Sequence, residues 1–183
     1  MKSLRKRSRH RNGFTLIEAM LSIVVLAIGV LSIAAVYTQG IFLASLSQYD
    51  YVAEKKAEQA VEAIFTARDI KQLNWASIQN VSNNGVFMNG PQPILVPGSD
   101  GLVGTTTDMA STPEYITIGP GPDGVLGTAD DILVNLNPWM TRTITITPVT
   151  GETNLRMITV TINYQVGQLN RTYTLISYIS AFA

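Results

Sequence analysis

The stretch Arg11-Asn12-Gly13-Phe14-Thr15-Leu16-Ile17-Glu18 joins a basic leader to a long apolar segment. Residues 1–12 hold six Lys or Arg residues and no acid, and after Glu18 no charged side chain occurs before Asp50. A secretory signal peptide places its small residue after the apolar core. Here Gly13 precedes the core, so cleavage at this glycine would leave the apolar segment on the mature chain.

The apolar segment is long enough to cross a membrane. Residues 19–36 are apolar except for Ser22, Gly29 and Ser32, and a lone span of about 20 such residues must be helical. We predict a transmembrane helix over residues 14–45, with a plain signal anchor as the alternative. The basic leader then fits a cytoplasmic N-terminus under the positive-inside rule. A nucleic-acid partner is not predicted, because no recognition motif accompanies the basic cluster.

Composition excludes several kinds of chemistry. The chain has no Cys, and its one His is His10 in the leader. Disulfides, thiol catalysis and thiolate metal sites are therefore excluded. A chain without residues 1–13 would also lack histidine, which is the commonest general base and a usual zinc ligand. No feature argues for an enzyme.

A second helical segment follows the span. Apolar residues recur every three or four positions, which is the spacing of one helix face, at Leu46, Tyr49, Ala53, Ala57, Ala60, Ile64 and Ala67. An acidic row occupies the other face, at Asp50, Glu54, Glu58 and Glu62. It is either a solvated face or a surface for basic patches of neighbouring molecules. We predict an amphipathic half of the helix over residues 46–73.

Residues 74–183 are predicted to form a β-rich globular domain. Loops rich in Gly, Pro and Asn are expected as far as residue 113, around a short strand at 94–96. From Glu114 the period changes to two, which predicts strands at 115–118, 132–136, 142–147, 158–164 and 172–180. Gly167-Gln168 suits a tight hairpin. Short connections predict an antiparallel meander whose apolar face is covered by the amphipathic helix, so the fold class is α+β.

Glu18 is the candidate for function within the apolar segment. A carboxylate in a span is costly and usually functional, although in a first helical turn it also meets the helix dipole favourably. Cleavage after Gly13 would give Phe14 an α-amino group, whose reference pKa is about 8. In an apolar medium the two charges favour pairing. The pair could form within one chain or between Glu18 of one chain and Phe14 of the next.

A Gly- and Asp-rich loop, residues 119–132, is the second candidate site. It holds four glycines and the carboxylates of Asp123, Asp130 and Asp131, which a folded-back loop could bring to a hard cation such as calcium. The alternative is a turn capped by hydrogen bonds from backbone to side chain.

The residues Gly13-Phe14-Thr15-Leu16-Ile17-Glu18 resemble the type IV prepilin processing motif without departure. The resemblance implies a pilin fold, cleavage after Gly13 by a prepilin peptidase, N-methylation of Phe14, and a role for Glu18 in subunit docking. It implies the inner membrane, other pilin subunits and the pilus assembly platform as partners. It also implies a periplasm-facing domain that becomes extracellular in the assembled pilus.

Residues 18–31, and Arg171 ahead of Tyr173-Thr174-Leu175, are similar to the PilV-like minor pilins, also called pilus modification proteins. The 119–132 loop resembles the calcium loop of major pseudopilins, although it lies earlier in the sheet. A minor pseudopilin of type II secretion therefore stays an alternative to a minor type IV pilin. A further alternative is a membrane-anchored, calcium-stabilised binding module.

Overall fold

The computed structural model describes residues 13–108, 112–137 and 139–182. The chain divides into two compact units, Met1–Ala44 and Ser45–Ala183. Helix α1, Leu16–Asp69, contributes to both units. In the first unit its apolar side chains are exposed from Leu16, at 79%, to Val36, at 74%. Among the described residues, this one helix is long and apolar enough to cross a membrane, with a mean hydropathy of 2.7 in its most apolar window.

The second unit combines the end of α1 with two sheets. Two short 3-10 helices, Trp75–Ser77 and Val81–Asn83, follow α1. The strands are β1 Gln92–Pro93, β2 Tyr115–Gly119, β3 Ile132–Asn135, β4 Met140–Val149, β5 Glu152–Val166 and β6 Leu169–Ser180. The larger sheet has the order β1-β4-β5-β6, and β2 pairs with β3 in a separate two-stranded sheet. All of these pairings are antiparallel.

The amphipathic part of α1 packs on the larger sheet. Its buried residues are small or aliphatic: Leu46, Ala53, Ala57, Ala60, Ile64 and Ala67. They face the apolar side of the strands, where Ile144, Ile158, Val160, Ile162 and Ile179 are buried. The alanines allow the helix to approach the sheet closely. The predicted α+β fold, a long helix packed on an antiparallel sheet, is confirmed.

The sheet differs from a single meander in two ways. The hairpin β2–β3 forms its own sheet, so only β4, β5 and β6 are consecutive neighbours. The expected strand at 94–96 is also reduced. Gln92 and Pro93 pair with β4, and Leu95 forms only an isolated bridge with Pro113. Proline has no N–H to donate to a ladder, and Pro91, Pro93 and Pro97 lie in this segment. The predicted two-residue turn at Gly167-Gln168 is observed, with Gly167 at φ 60°.

Candidate functional site

The bond between Gly13 and Phe14 lies just outside the helix. Both residues are exposed, and neither is helical. A Cβ added at Gly13 would meet no atom within 4 Å, so neither packing nor backbone conformation in this structure requires a glycine there. A requirement for glycine would have to come from a molecule that recognises the segment, as the processing prediction expects.

Thr15 caps the start of α1. Its Oγ1 accepts a hydrogen bond from the Glu18 backbone N–H at 3.3 Å, and its carbonyl accepts one from Ala19. This is the N-cap arrangement of a Thr followed three residues later by a Glu. The spacing Thr15-x-x-Glu18 could have revealed the cap from the sequence, but our sequence analysis did not single out Thr15. The cap fixes the first helical residue at Leu16, the third residue after the predicted cleavage site.

Glu18 is exposed in the first turn of α1. Its carboxylate makes no hydrogen bond or ion pair with any residue that the structure describes. In the uncleaved chain Phe14 carries a peptide nitrogen, so the predicted amine partner exists only after cleavage. Phe14 and Glu18 thus lie four residues apart on either side of the cap, and the carboxylate is unpaired among the residues that the structure describes.

Three hydroxyl side chains of the apolar segment donate hydrogen bonds to carbonyls of their own helix. Ser22 and Ser32 donate from Oγ to the carbonyls of Glu18 and Ile28 at 2.7 and 2.8 Å. Thr38 donates to the Ala35 carbonyl at 2.9 Å. A hydroxyl bonded to its own helix is acceptable in lipid, where an unsatisfied polar group is costly. Glu18 is the one acidic or basic side chain of residues 14–49.

In the loop 119–132, the predicted metal ligands bind the loop's own backbone. Asp123 Oδ1 accepts from Val125 N at 2.8 Å, and Asp131 Oδ2 accepts from Gly127 N at 2.7 Å. The Thr128 hydroxyl donates to Asp130 at 2.6 Å, and this bond is the main cause that lowers the pKa of Asp130. These bonds favour the self-capped turn over a metal site.

The described residues contain no group of three acidic, His or Cys side chains placed to hold a metal. Asp131 Oδ1 is the one carboxylate oxygen of this loop that is buried without a hydrogen-bond partner in the described chain. Calcium binding at Asp123, Asp130 and Asp131 stays a prediction.

The acidic row of α1 is divided in its contacts. Asp50 accepts from the Tyr164 hydroxyl and pairs with Arg171 at 3.1 Å, which ties the helix to β5 and β6. Glu58 pairs with Lys55 at 2.6 Å on the same helix. Glu54 and Glu62 form no hydrogen bond or ion pair with the described residues. The row therefore combines one contact within the fold with a solvated remainder.

A buried arginine that the sequence analysis did not identify lies on β4, with Asp108 and Glu114 close enough to act on it electrostatically. Arg142 is only 1% exposed, and its three guanidinium nitrogens have no hydrogen-bond partner in the described chain. Burial lowers the pKa of Arg142 to about 10, although Asp108 and Glu114 act to raise it. Glu114 binds Lys56 of α1 at 2.5 Å. The position was predictable, because Arg142 shares the parity of Ile144 and Ile146 in a strictly alternating strand.

Comparison with known proteins supports only the N-terminal part of this site. The prokaryotic N-terminal methylation motif matches residues 8–34. This range contains Gly13, Phe14, Thr15 and Glu18. No curated protein and no solved structure matches the chain.

Proposed function

We propose that this chain, a type IV pilin-like protein by its methylation motif and its fold, is a minor pilin of the PilV-like group. In this proposal a prepilin peptidase cuts after Gly13 and methylates the new N-terminal residue, Phe14. The processed chain is then incorporated into a type IV pilus or primes its assembly. The observation that carries the proposal is an exposed, non-helical Gly13–Phe14 bond directly before a capped apolar helix.

Glu18 supplies the proposed assembly chemistry. Leu16, Ile17, Met20 and Leu21 surround it, and all are 60% exposed or more. An apolar surface of this extent is buried by lipid or by other helices. Glu18 would then be a charge in an apolar medium, which favours a paired state over an isolated one. The α-amino group of Phe14 is the positive charge that processing creates nearby, on the same subunit or on a neighbour.

The location follows from the same segment. The helix of the first unit fits a membrane-anchored pilin, held in the inner membrane with its N-terminus in the cytoplasm. The β-rich domain would face the periplasm until assembly moves it to the extracellular pilus. The partners are the peptidase, the assembly platform and other pilin subunits, and the role is structural rather than catalytic.

Two measurements test the proposal. Mass spectrometry of the membrane protein from a host with active peptidase should show a chain that begins at methylated Phe14. If residues 1–13 remain attached, the processing step is wrong. The Glu18→Ala variant should be processed and stable but absent from sheared filaments. Glu62→Ala is the matched control, because Glu62 is exposed on the same helix without a described partner, and it should enter filaments normally.

Filament preparations also separate the alternatives. A minor pilin appears in sheared pili, whereas a pseudopilin appears with the secretion machinery and a membrane-anchored binding module stays in the membrane fraction. Normal incorporation of Glu18→Ala would contradict the pairing mechanism and leave the processing result standing.

A further inference from the structure

Strand β6 leaves one row of backbone groups unpaired. It is an edge strand. The two-residue turn that joins Val166 to Leu169 determines which residues of β6 form backbone hydrogen bonds to β5. In an antiparallel pair the bonding residues alternate, so the even-numbered residues from 170 to 178 direct N–H and C=O away from β5. None of these groups has another backbone partner in the described chain. Ile176 and Tyr178, which belong to this row, are each 55% exposed.

The opposite edge of the sheet is covered. The Asn80 side chain lies against β4, where it donates to the Ile144 carbonyl at 2.7 Å and accepts from Ile146 N at 2.8 Å. Strand β1 pairs with the start of β4, and Pro148, which has no backbone N–H, lies near the end of β4. Proteins usually protect edge strands by such devices, because a bare edge recruits other strands. In this sheet the protection is given to β4 and not to β6.

The hairpin β2–β3 has a second bare edge. The segment before β2 bonds to residues 94–96 through Glu114 N and Thr112 O. Residues 132–134 of β3 make no described backbone bonds beyond those to β2. Ile132 and Leu133 are more than half exposed. A two-stranded sheet is marginally stable alone, so another strand beside β3 would bury these side chains and stabilise the hairpin.

Charge sets the direction in which the two edges fit. Residues 115–135 contain three aspartates and no basic residue, and the exposed Val125 and Leu126 lie at the tip of the hairpin. Near the C-terminal end of β6, Arg68 donates to the Ser180 carbonyl at 3.1 Å. A cavity of about 550 Å³ opens there, lined by Arg68, Lys71, Leu73, Asn74, Trp75, Ala181 and Phe182. The acidic, apolar tip thus complements a basic, aromatic cavity.

We propose that the β6 edge binds the β2–β3 hairpin of a second copy of this chain. Strand β3 of the second copy runs antiparallel to β6, which directs its aspartate tip towards Arg68 and Lys71. The interface is heterologous, because the β6 edge of one copy contacts the β2–β3 hairpin of the next. Each copy keeps one of these two surfaces free, so such contacts continue from copy to copy. It goes beyond the proposed function, since it needs neither cleavage nor the pairing of Glu18.

Engineered cysteines test the contact against a clean background, because the chain has no cysteine of its own. Two differently tagged full-length copies are co-expressed, one with Ile176→Cys or Thr174→Cys and the other with Leu133→Cys. Mild oxidation of the membranes should give a disulfide-linked pair of the two tags. Thr145→Cys with Leu133→Cys is the matched control, because Thr145 is exposed on β4 and lies two strands from β6. This control pair should stay unlinked.

A charge exchange tests the direction. Lys71→Glu in the copy that carries the β6 cysteine should reduce linking about fivefold, and Asp130→Lys in the copy with Leu133→Cys should restore it. Three outcomes would overturn the proposal. They are equal linking in the Thr145 control, linking of β6 only to itself or to another protein, and failure of the charge exchange. The disulfide-linked pair should also form in Glu18→Ala chains. Failure of the β6 contact can therefore be told apart from failure of the pilin proposal.

Discussion

Replacing Arg142 with methionine should stabilise the second unit rather than weaken it. Burial lowers the pKa of Arg142 from its ordinary value to about 10. Each pH unit of this shift corresponds to about 1.4 kcal/mol, so keeping the buried guanidinium charged costs folding about 3 kcal/mol at neutral pH. Methionine fills a similar volume without a charge. Replacing buried ionic groups by apolar ones of similar volume is often neutral or stabilising.

The acids near Arg142 keep other partners in this variant. Glu114 still binds Lys56 at 2.5 Å, and Asp108 still accepts from Gly104 N at 2.8 Å. We therefore expect a net gain of about 1–3 kcal/mol for Arg142→Met at pH 7. Arg142→Ala leaves a cavity and should be about 2 kcal/mol less stable than the methionine variant. Arg142→Lys keeps a positive charge in the site and should show no comparable gain.

Urea unfolding of the full-length chain in detergent, followed by tryptophan fluorescence, measures the difference. Both tryptophans, Trp75 and Trp139, lie in the second unit, so the signal reports on that unit. Below pH 10 Arg142 is charged in both the folded and the unfolded state. The difference in unfolding free energy between the wild-type chain and Arg142→Met, called the gap below, should then be constant. Above pH 10 the folded state loses the proton before the unfolded state does. The wild-type chain then gains stability as pH rises, and the gap closes by about 1.4 kcal/mol per pH unit.

Three results would refute this reasoning. A loss of more than about 2 kcal/mol in Arg142→Met would mean that the charge stabilises the fold more than its burial costs. A gap that stays constant from pH 9 to pH 11.5 would mean that the folded arginine does not titrate in this range. A stable Arg142→Lys variant with the same gain as methionine would point to packing rather than charge.

Three further predictions follow from the same unit. Burial raises the pKa of Asp108, so ionisation of this carboxyl costs more in the folded state than in the unfolded state. The stability of the wild-type chain relative to Asp108→Asn should therefore fall as pH rises through that raised pKa. A rise in this relative stability, measured by urea unfolding, would contradict the shift. Asn80→Ala leaves the Ile144 carbonyl and the Ile146 N–H unsatisfied and should cost about 1–3 kcal/mol, whereas the exposed Asn89→Ala should cost less than about 0.5 kcal/mol by the same assay. If calcium binds Asp123, Asp130 and Asp131, a chelator should lower the thermal midpoint of the wild-type chain and leave Asp131→Asn unchanged; an equal midpoint with and without chelator would remove the metal proposal.

The charge and hydropathy pattern of residues 1–50 was sufficient to predict the long apolar helix. A basic leader, a glycine before the apolar run and a single Glu18 inside it allow few alternatives, because a lone span in lipid can only be helical. The same holds for strands β4, β5 and β6, whose alternation survives in the observed burial of Ile144, Val160 and Ile179. These signals are local, so they need no tertiary contact to be recognised.

The structure decided matters that depend on distance in space. Period-two patterns do not say which strands share a sheet, so the separation of β2–β3 from the larger sheet was not predicted. The carboxylates of Asp123, Asp130 and Asp131 accept hydrogen bonds from their own loop. These bonds distinguish the described turn from an open ring of metal ligands. The burial of Arg142 on β4 likewise follows from the packing of elements that are far apart in the chain.

The sequence by itself determined that this chain has a long apolar helix joined to a β domain, because hydrophobic length and alternation are properties of consecutive residues. Only the tertiary structure decided which sheet edge is covered, which charges are buried and which stay in water. Those outcomes depend on the contacts of Asn80 with β4 and of Asp50 with Arg171, residues that lie 64 and 121 positions apart. No local pattern encodes such a separation, so the surfaces available to partners became visible only in the folded chain.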